Sequence, residues 1–151
     1  METMHITDIS ELDGLAQNVL QLARGQKSER AVVCALHGDL GAGKTTFTQV
    51  LARTLGVTEI VTSPTFVVMK KYPLENQAFE ELVHIDAYRI EEIDEMRVLG
   101  FESLLEEKET IMCIEWAENI KELLPKDTIH VTFEHAGENR NITITHGNQK
   151  P

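Results

Sequence analysis

The sequence predicts a three-layer α/β domain whose sheet is mostly parallel and carries an antiparallel hairpin at one edge. Three observations predict it. Short apolar runs alternate with stretches of helical periodicity, as strands covered on both faces by helices require. The first of those runs leads into a glycine-rich loop and then an amphipathic segment. The last two strand-like runs are separated only by a turn.

Each element has its own signal. Ser10 can cap a helix over residues 10–24, because Leu12, Leu15, Ala16, Val19, Leu20 and Ala23 follow the three-four spacing of one buried face. Residues 25–30 form a polar loop. Residues 31–36 (AVVCAL) are short and continuously apolar, as in a strand buried on both faces. After the loop HGDLGAGK, a helix over 45–55 turns Phe47, Val50, Leu51 and Leu55 inward, and Gly56 stops it. Residues 65–72 read as a strand ended by Pro73, and 82–86 as another. Residues 91–107 hold one or two short acidic helices broken near Gly100. A short apolar run at 111–115 ends in an acid, and a short helix at 119–124 stops at Pro125. Residues 128–134 and 141–146 make the closing hairpin, with its turn at 136–139, before a polar tail at 147–151. With no repeat or linker, residues 1–151 are expected to be one domain.

Composition narrows the function. The chain has 151 residues, 42% of them apolar, enough for one ordinary core. Its formal charge is −11 and its pI about 4.9. Such a surface repels a phosphate backbone, so any RNA is expected to be held by another subunit. No stretch approaches the roughly 20 apolar residues of a membrane span, and METMHITDIS lacks the pattern of a secretory signal. Cys34 and Cys113 each sit in an apolar run and read as buried, reduced thiols, which suits a cytoplasmic protein.

The chemistry starts at Gly38-Asp39-Leu40-Gly41-Ala42-Gly43-Lys44-Thr45, a full match to G-x-x-x-x-G-K-[ST]. Glycines let backbone N–H groups turn inward and approach phosphate oxygens closely, and the following helix adds its positive end. Lys44 is expected to reach the β- and γ-phosphates, and the Thr45 hydroxyl the magnesium that bridges them. This Walker A loop, with a strand before it and a helix after it, predicts a P-loop NTPase-like domain. The nucleotide contacts fall on Asp39, Leu40, Gly41, Ala42, Gly43, Lys44, Thr45 and Thr46. GTP readers usually carry an N/T-K-x-D segment; none occurs here, so ATP is the expected nucleotide.

Magnesium needs further oxygen ligands. Asp86 and Glu115 each end a predicted strand, on the side where an open α/β sheet binds its ligands. One can hold the metal and the other orient the attacking water. The segment 62–66 (TSPTF) is either a γ-phosphate sensor or a plain Ser-Pro turn. His37, His84 and His135 are scattered in sequence, so metal ligation by them is not expected. The acids of 91–109 form a solvated helix face or a dock for a basic partner.

Taken together, HGDLGAGKTTFTQVLARTLG, VTSPTFVVMKKY, HIDAYR, LGFE and IEWAE resemble the bacterial TsaE family, also called YjeE. The resemblance implies a weak ATPase that joins TsaD and TsaB in making threonylcarbamoyladenosine, the modified base beside the tRNA anticodon. ATP hydrolysis would support turnover of that complex, and TsaD would perform the transfer itself. It further implies phosphate and magnesium roles for Lys44 and Thr45, magnesium binding for Glu115 and a part in hydrolysis for Asp86. Thr65 and Trp116 match the threonine of SPTF and the tryptophan of IEW. Family members commonly carry an Arg in the closing hairpin near the nucleotide, and Arg140 is the candidate.

Two other functions compete. A P-loop small-molecule kinase would need an Arg-rich lid, but Arg53, Arg89, Arg97 and Arg140 are scattered. A nucleotide-binding protein that signals without turnover would lack steady hydrolysis.

Overall fold

Alternation along the strands divides the core into two halves. The computed structural model describes residues 2–6, 9–26, 29–38, 43–62, 68–75, 77–137 and 139–146. In chain order, β1 (Glu2–Ile6) and a 3-10 turn (Ile9–Glu11) lead into α1 (Leu12–Gln26), β2 (Val32–Gly38) and α2 (Lys44–Thr54). Then come β3 (Met69–Pro73), β4 (Glu81–Asp86), α3 (Ile93–Val98), α4 (Phe101–Leu105) and β5 (Thr110–Glu115). A 3-10 stretch (Ala117–Leu123) connects to β6 (Ile129–Ala136) and β7 (Asn139–Thr145).

Among the described residues the strands form one seven-stranded sheet in the order β1-β7-β6-β2-β5-β4-β3. The central four, β6, β2, β5 and β4, run parallel. β7 and β1 continue the sheet antiparallel on one side, and β3 does so on the other. The expected parallel centre and closing hairpin are both present. Two features extend that expectation: β1, a strand the sequence reading did not assign, lies beyond the hairpin and forms the sheet edge, and β3 pairs antiparallel with β4.

The uninterrupted apolar run of β2 is explained by cover on both faces. Cys34 and Leu36 join Leu82, Cys113, Val131 and Phe133 under α1 and α2. Val33 and Ala35 join Val83, Ile85, Met112 and Ile114 on the opposite face, under Met96, Phe101 and Leu104 of α3 and α4. All six residues expected on the inner face of α1 are buried, and Phe47, Val50, Leu51 and Leu55 are buried as well. Leu15 and Leu20 are fully buried, so truncation of either to Ala should cost about 2–5 kcal/mol.

Boundaries shift for local reasons. α1 starts at Leu12, one 3-10 turn past the position expected from Ser10. The helix expected at 119–124 is a 3-10 stretch from Ala117, kinked at Ile120 (φ −131°, ψ 25°) and followed by Pro125, which has no N–H with which to continue a helix. β3 begins at Met69. Residues 65–67, which would open the expected strand, lie outside the described residues, as does the tail at 147–151.

Cys34 and Cys113 are register partners on β2 and β5 and are both buried free thiols. Burial pushes the Cys34 thiol up to about 12 and that of Cys113 well above its ordinary value, with the neighbouring Cys34 as a second cause. Both are therefore inert thiols that serve packing.

Candidate active site

Three strand ends meet at one edge of the sheet. Glu115 stands opposite Leu36 of β2 and opposite Asp86 of β4. Period two then turns Leu36, His84, Asp86, Cys113 and Glu115 toward the face that carries α2. The glycine-rich loop begins and ends on glycines that the geometry requires. Gly38 has φ +139°, and a Cβ there would stand 2.6 Å from the Phe133 carbonyl oxygen. Gly43 caps α2 in the left-handed region at φ +107°.

α2 opens with Lys44, so Lys44, Thr45 and Thr46 form its first turn. Their N–H groups belong to the helix end, where orphan donors and the dipole favour an anion. Thr45 Oγ1 donates to Glu115 Oε1 at 2.7 Å. The other oxygen, Oε2, accepts from His84 Nε2 at 2.6 Å. Glu115 and His84 are buried, at 3% and 0% exposure. Lys44 is also buried; its ammonium donates to the Gly38 carbonyl at 2.6 Å and lies 3.6 Å from the Trp116 ring centroid. One turn on, Thr48 Oγ1 donates back to the Lys44 carbonyl at 3.0 Å.

Asp86 is buried, and its Oδ1 accepts the Tyr88 N–H at 2.9 Å. This turn fixes the chain as it leaves β4. The loops after β4 and β5 are tied together: the Ala87 N–H donates to the Glu115 carbonyl at 3.0 Å, and Asn119 Nδ2 donates to the Ala87 carbonyl at 2.9 Å. Trp116 takes the left-handed conformation at φ 58° and packs against Tyr88 with ring centroids 5.0 Å apart. Its unusual backbone turns the indole over Lys44 immediately after Glu115.

The opposite face of the same edge holds a second polar group. His37 Nε2 and His130 Nδ1 share a hydrogen bond of 2.8 Å, and their rings stack at 5.0 Å. His37 Nδ1 donates to Glu118 Oε2 at 3.2 Å. Burial, then the charge of His37, lowers the His130 imidazole below its ordinary value. Burial alone would raise Glu118, but the His37 hydrogen bond, its own backbone N–H and the charges of His37 and Lys44 hold it low.

Of the residues expected from sequence, Lys44, Thr45, Asp86 and Glu115 converge. Arg140 lies on β7 opposite His135, past the Phe133–Ile142 pair, and its Nη1 donates to the Asn139 carbonyl at 3.0 Å. That register extends the hairpin beyond Gly38, which pairs with Phe133. Asp39, Leu40, Gly41 and Ala42 lie outside the described residues, as do Ser63 to Phe66. His135 is exposed on the hairpin. The sequence reading missed the bond from His84 to Glu115 and the pairing of His37 with His130.

Comparison with known proteins agrees with this fold. A family model described as threonylcarbamoyl adenosine biosynthesis protein TsaE matches residues 6–142. The chain belongs to the TsaE family. It is 43% identical over 114 residues to the tRNA threonylcarbamoyladenosine biosynthesis protein TsaE of Bacillus subtilis, covering 75% of this chain and 68% of that one. It is 30% identical over 142 residues to the protein of the same name from Haemophilus influenzae, covering 94% and 87%. A crystal structure of YdiB from Bacillus subtilis superposes with a TM-score of 0.72 at 31% identity, covering 96% of this chain and 84% of that one.

Proposed function

We propose that the chain is a magnesium-dependent ATPase subunit that supports turnover of a TsaD–TsaB complex in threonylcarbamoyladenosine modification of tRNA. The observation that carries the ATPase part is the 2.7 Å contact between Thr45, at the start of α2, and Glu115, at the end of β5. A hydroxyl and a carboxylate oxygen held together at a helix N-terminus are hard oxygen donors, which suit magnesium. Among the described residues, no three His, Cys, Asp or Glu side chains are grouped to hold a metal. Magnesium here would draw its remaining ligands from phosphate oxygens and water, its usual habit.

Each residue then has a task. Backbone N–H groups of the glycine-rich loop and of Lys44 to Thr46 receive the phosphates. Lys44 exchanges its contact with the Gly38 carbonyl for a β/γ-phosphate oxygen. Thr45 and Glu115 would hold magnesium, which would supply charge neutralisation at the phosphates. Asp86, beside Glu115, accepts a hydrogen bond from the attacking water and orients it. Arg140, on the hairpin, is the arginine assigned to the nucleotide. The missing guanine-reading segment favours ATP over GTP. The pathway in the relatives' names supports a tRNA-linked role, and the two buried free thiols suit a cytoplasmic one. The −11 charge supports contact with tRNA only through the partners.

A small-molecule kinase is the poorer reading. Arg97 is an exposed residue paired with Asp94 and Glu102 on the acidic helices, not part of a phosphate-clamping lid. Among the described residues no helix is long and apolar enough to cross a membrane.

The test combines two measurements. Phosphate release from ATP is followed with and without magnesium, and the tagged chain is used to recover TsaD and TsaB from a bacterial lysate with and without ATP. Magnesium-dependent hydrolysis and nucleotide-dependent recovery support the reading. Absence of hydrolysis both alone and with the partners overturns it.

A further inference from the structure

We propose that His84 is a positioning residue that fixes which oxygen of Glu115 is offered to magnesium; this rests on the ATPase reading above. His84 is fully buried in β4, where a neutral aliphatic side chain would pack without hydrogen-bonding demands. Its Nε2 lies 2.6 Å from Glu115 Oε2. A carboxylate only accepts, so the ring donates. Among the described residues, Nδ1 has no hydrogen-bond partner. The described polar contact that compensates burial of this ring is therefore the one to Glu115.

The carboxylate of Glu115 has two oxygens and a soft terminal torsion. Left alone it could swing between two arrangements, and either oxygen could meet Thr45. With Oε2 occupied by His84, Oε1 is the oxygen that faces Thr45 at 2.7 Å. The arrangement follows from register. His84 stands opposite Cys113, so its ring reaches diagonally along the sheet to Glu115, two residues further on. A partner that orients a metal-binding carboxylate in this way commonly changes metal affinity by roughly 10–100-fold when removed.

The test is calorimetry of a non-hydrolysable ATP analogue, with magnesium and in its absence, on the wild-type chain, His84→Met and His84→Gln. Methionine fills the volume without a donor, whereas the glutamine amide can still donate to the carboxylate. In His84→Met the magnesium concentration needed for tight binding should rise about 10–100-fold, with magnesium-free affinity unchanged. His84→Gln should recover most of that loss. A wild-type magnesium requirement in His84→Met, or no recovery in His84→Gln, overturns the positioning role. No magnesium dependence in the wild type would instead overturn the ATPase reading beneath it. Should His84→Met fail to fold, nitrogen-15 spectra of wild-type imidazoles decide. The Nε2–H signal of His84 should persist when magnesium and the analogue are added, and its disappearance overturns the proposal.

Discussion

Thr45 and Glu115 are 70 residues apart in sequence and share a hydrogen bond of 2.7 Å across the top of the sheet. α2 supplies the hydroxyl and β5 the carboxylate, and the parallel pairing of β2 with β5 sets their height. Glu115→Gln keeps the shape and removes the charge. The variant should melt near the wild-type temperature. Its magnesium-dependent turnover should fall by about 100-fold or more, the scale of losing a preorganised charge-stabilising group. Phosphate release and thermal melting, followed on the same preparation, check this.

Lys44→Ala should weaken triphosphate binding about tenfold or more, because a charge-assisted contact contributes about 1.5–3 kcal/mol. The side chain now donates to the Gly38 carbonyl and lies over Trp116, so the variant should also lose some stability, about 1–3 kcal/mol. Calorimetry with a non-hydrolysable analogue measures the first effect and melting the second.

Gly38→Ala should destabilise the chain by about 2–3 kcal/mol, since the new Cβ would meet the Phe133 carbonyl oxygen at 2.6 Å and the backbone sits at φ +139°. For a chain of this size that corresponds to a melting temperature lower by roughly 4–12 °C. Gly14 has no atom within 4 Å of its would-be Cβ, so Gly14→Ala in α1 is the control and should not destabilise.

The His37–His130 pair makes stability depend on pH. Their shared hydrogen bond needs one acceptor nitrogen, so it is lost when both rings carry two protons. Because the His130 imidazole is lowered in the folded chain, the unfolded chain takes up that proton first as pH falls. Below about 6.5 the unfolded state therefore binds more protons, and stability declines. The contribution is complete above the unfolded value and is lost as pH drops through the folded one. Glu118, also held low, continues the decline into the carboxylate range. Melting temperatures between pH 8 and 5 should fall more steeply for the wild type than for His130→Gln.

The isolated chain should not bind tRNA tightly at about 0.15 M salt, because a −11 charge opposes the polyanion. A gel shift with purified tRNA measures this directly, and a tight complex from this chain alone would contradict the proposed division of labour.

Much of this geometry was legible because it rests on local rules. Asp86 and Glu115 are legible as the acids that end two apolar runs, and the sheet does bring them side by side. The inward residues of α1 and α2 follow from a 3.6 period. β1 is not legible because it is short, mixes Thr3 and His5 with Met4 and Ile6, and pairs with β7; its partner is over a hundred residues away. The same limit hides the bond from His84 to Glu115. Period two puts it on the face of Asp86, but only the register of β4 against β5 brings its ring to Glu115. His37 and His130 likewise meet because β2 and β6 are neighbours, which no spacing in the sequence records.

Trp116 is the only tryptophan in the chain, and its ring centroid lies 3.6 Å from the Lys44 ammonium. The molecule thus carries one indole chromophore whose immediate neighbour is the cation assigned to the phosphates. Drawing that cation away changes the field across the ring. The intensity and colour of the intrinsic emission should then report loop occupancy in real time, without a label and without a second indole to dilute the signal.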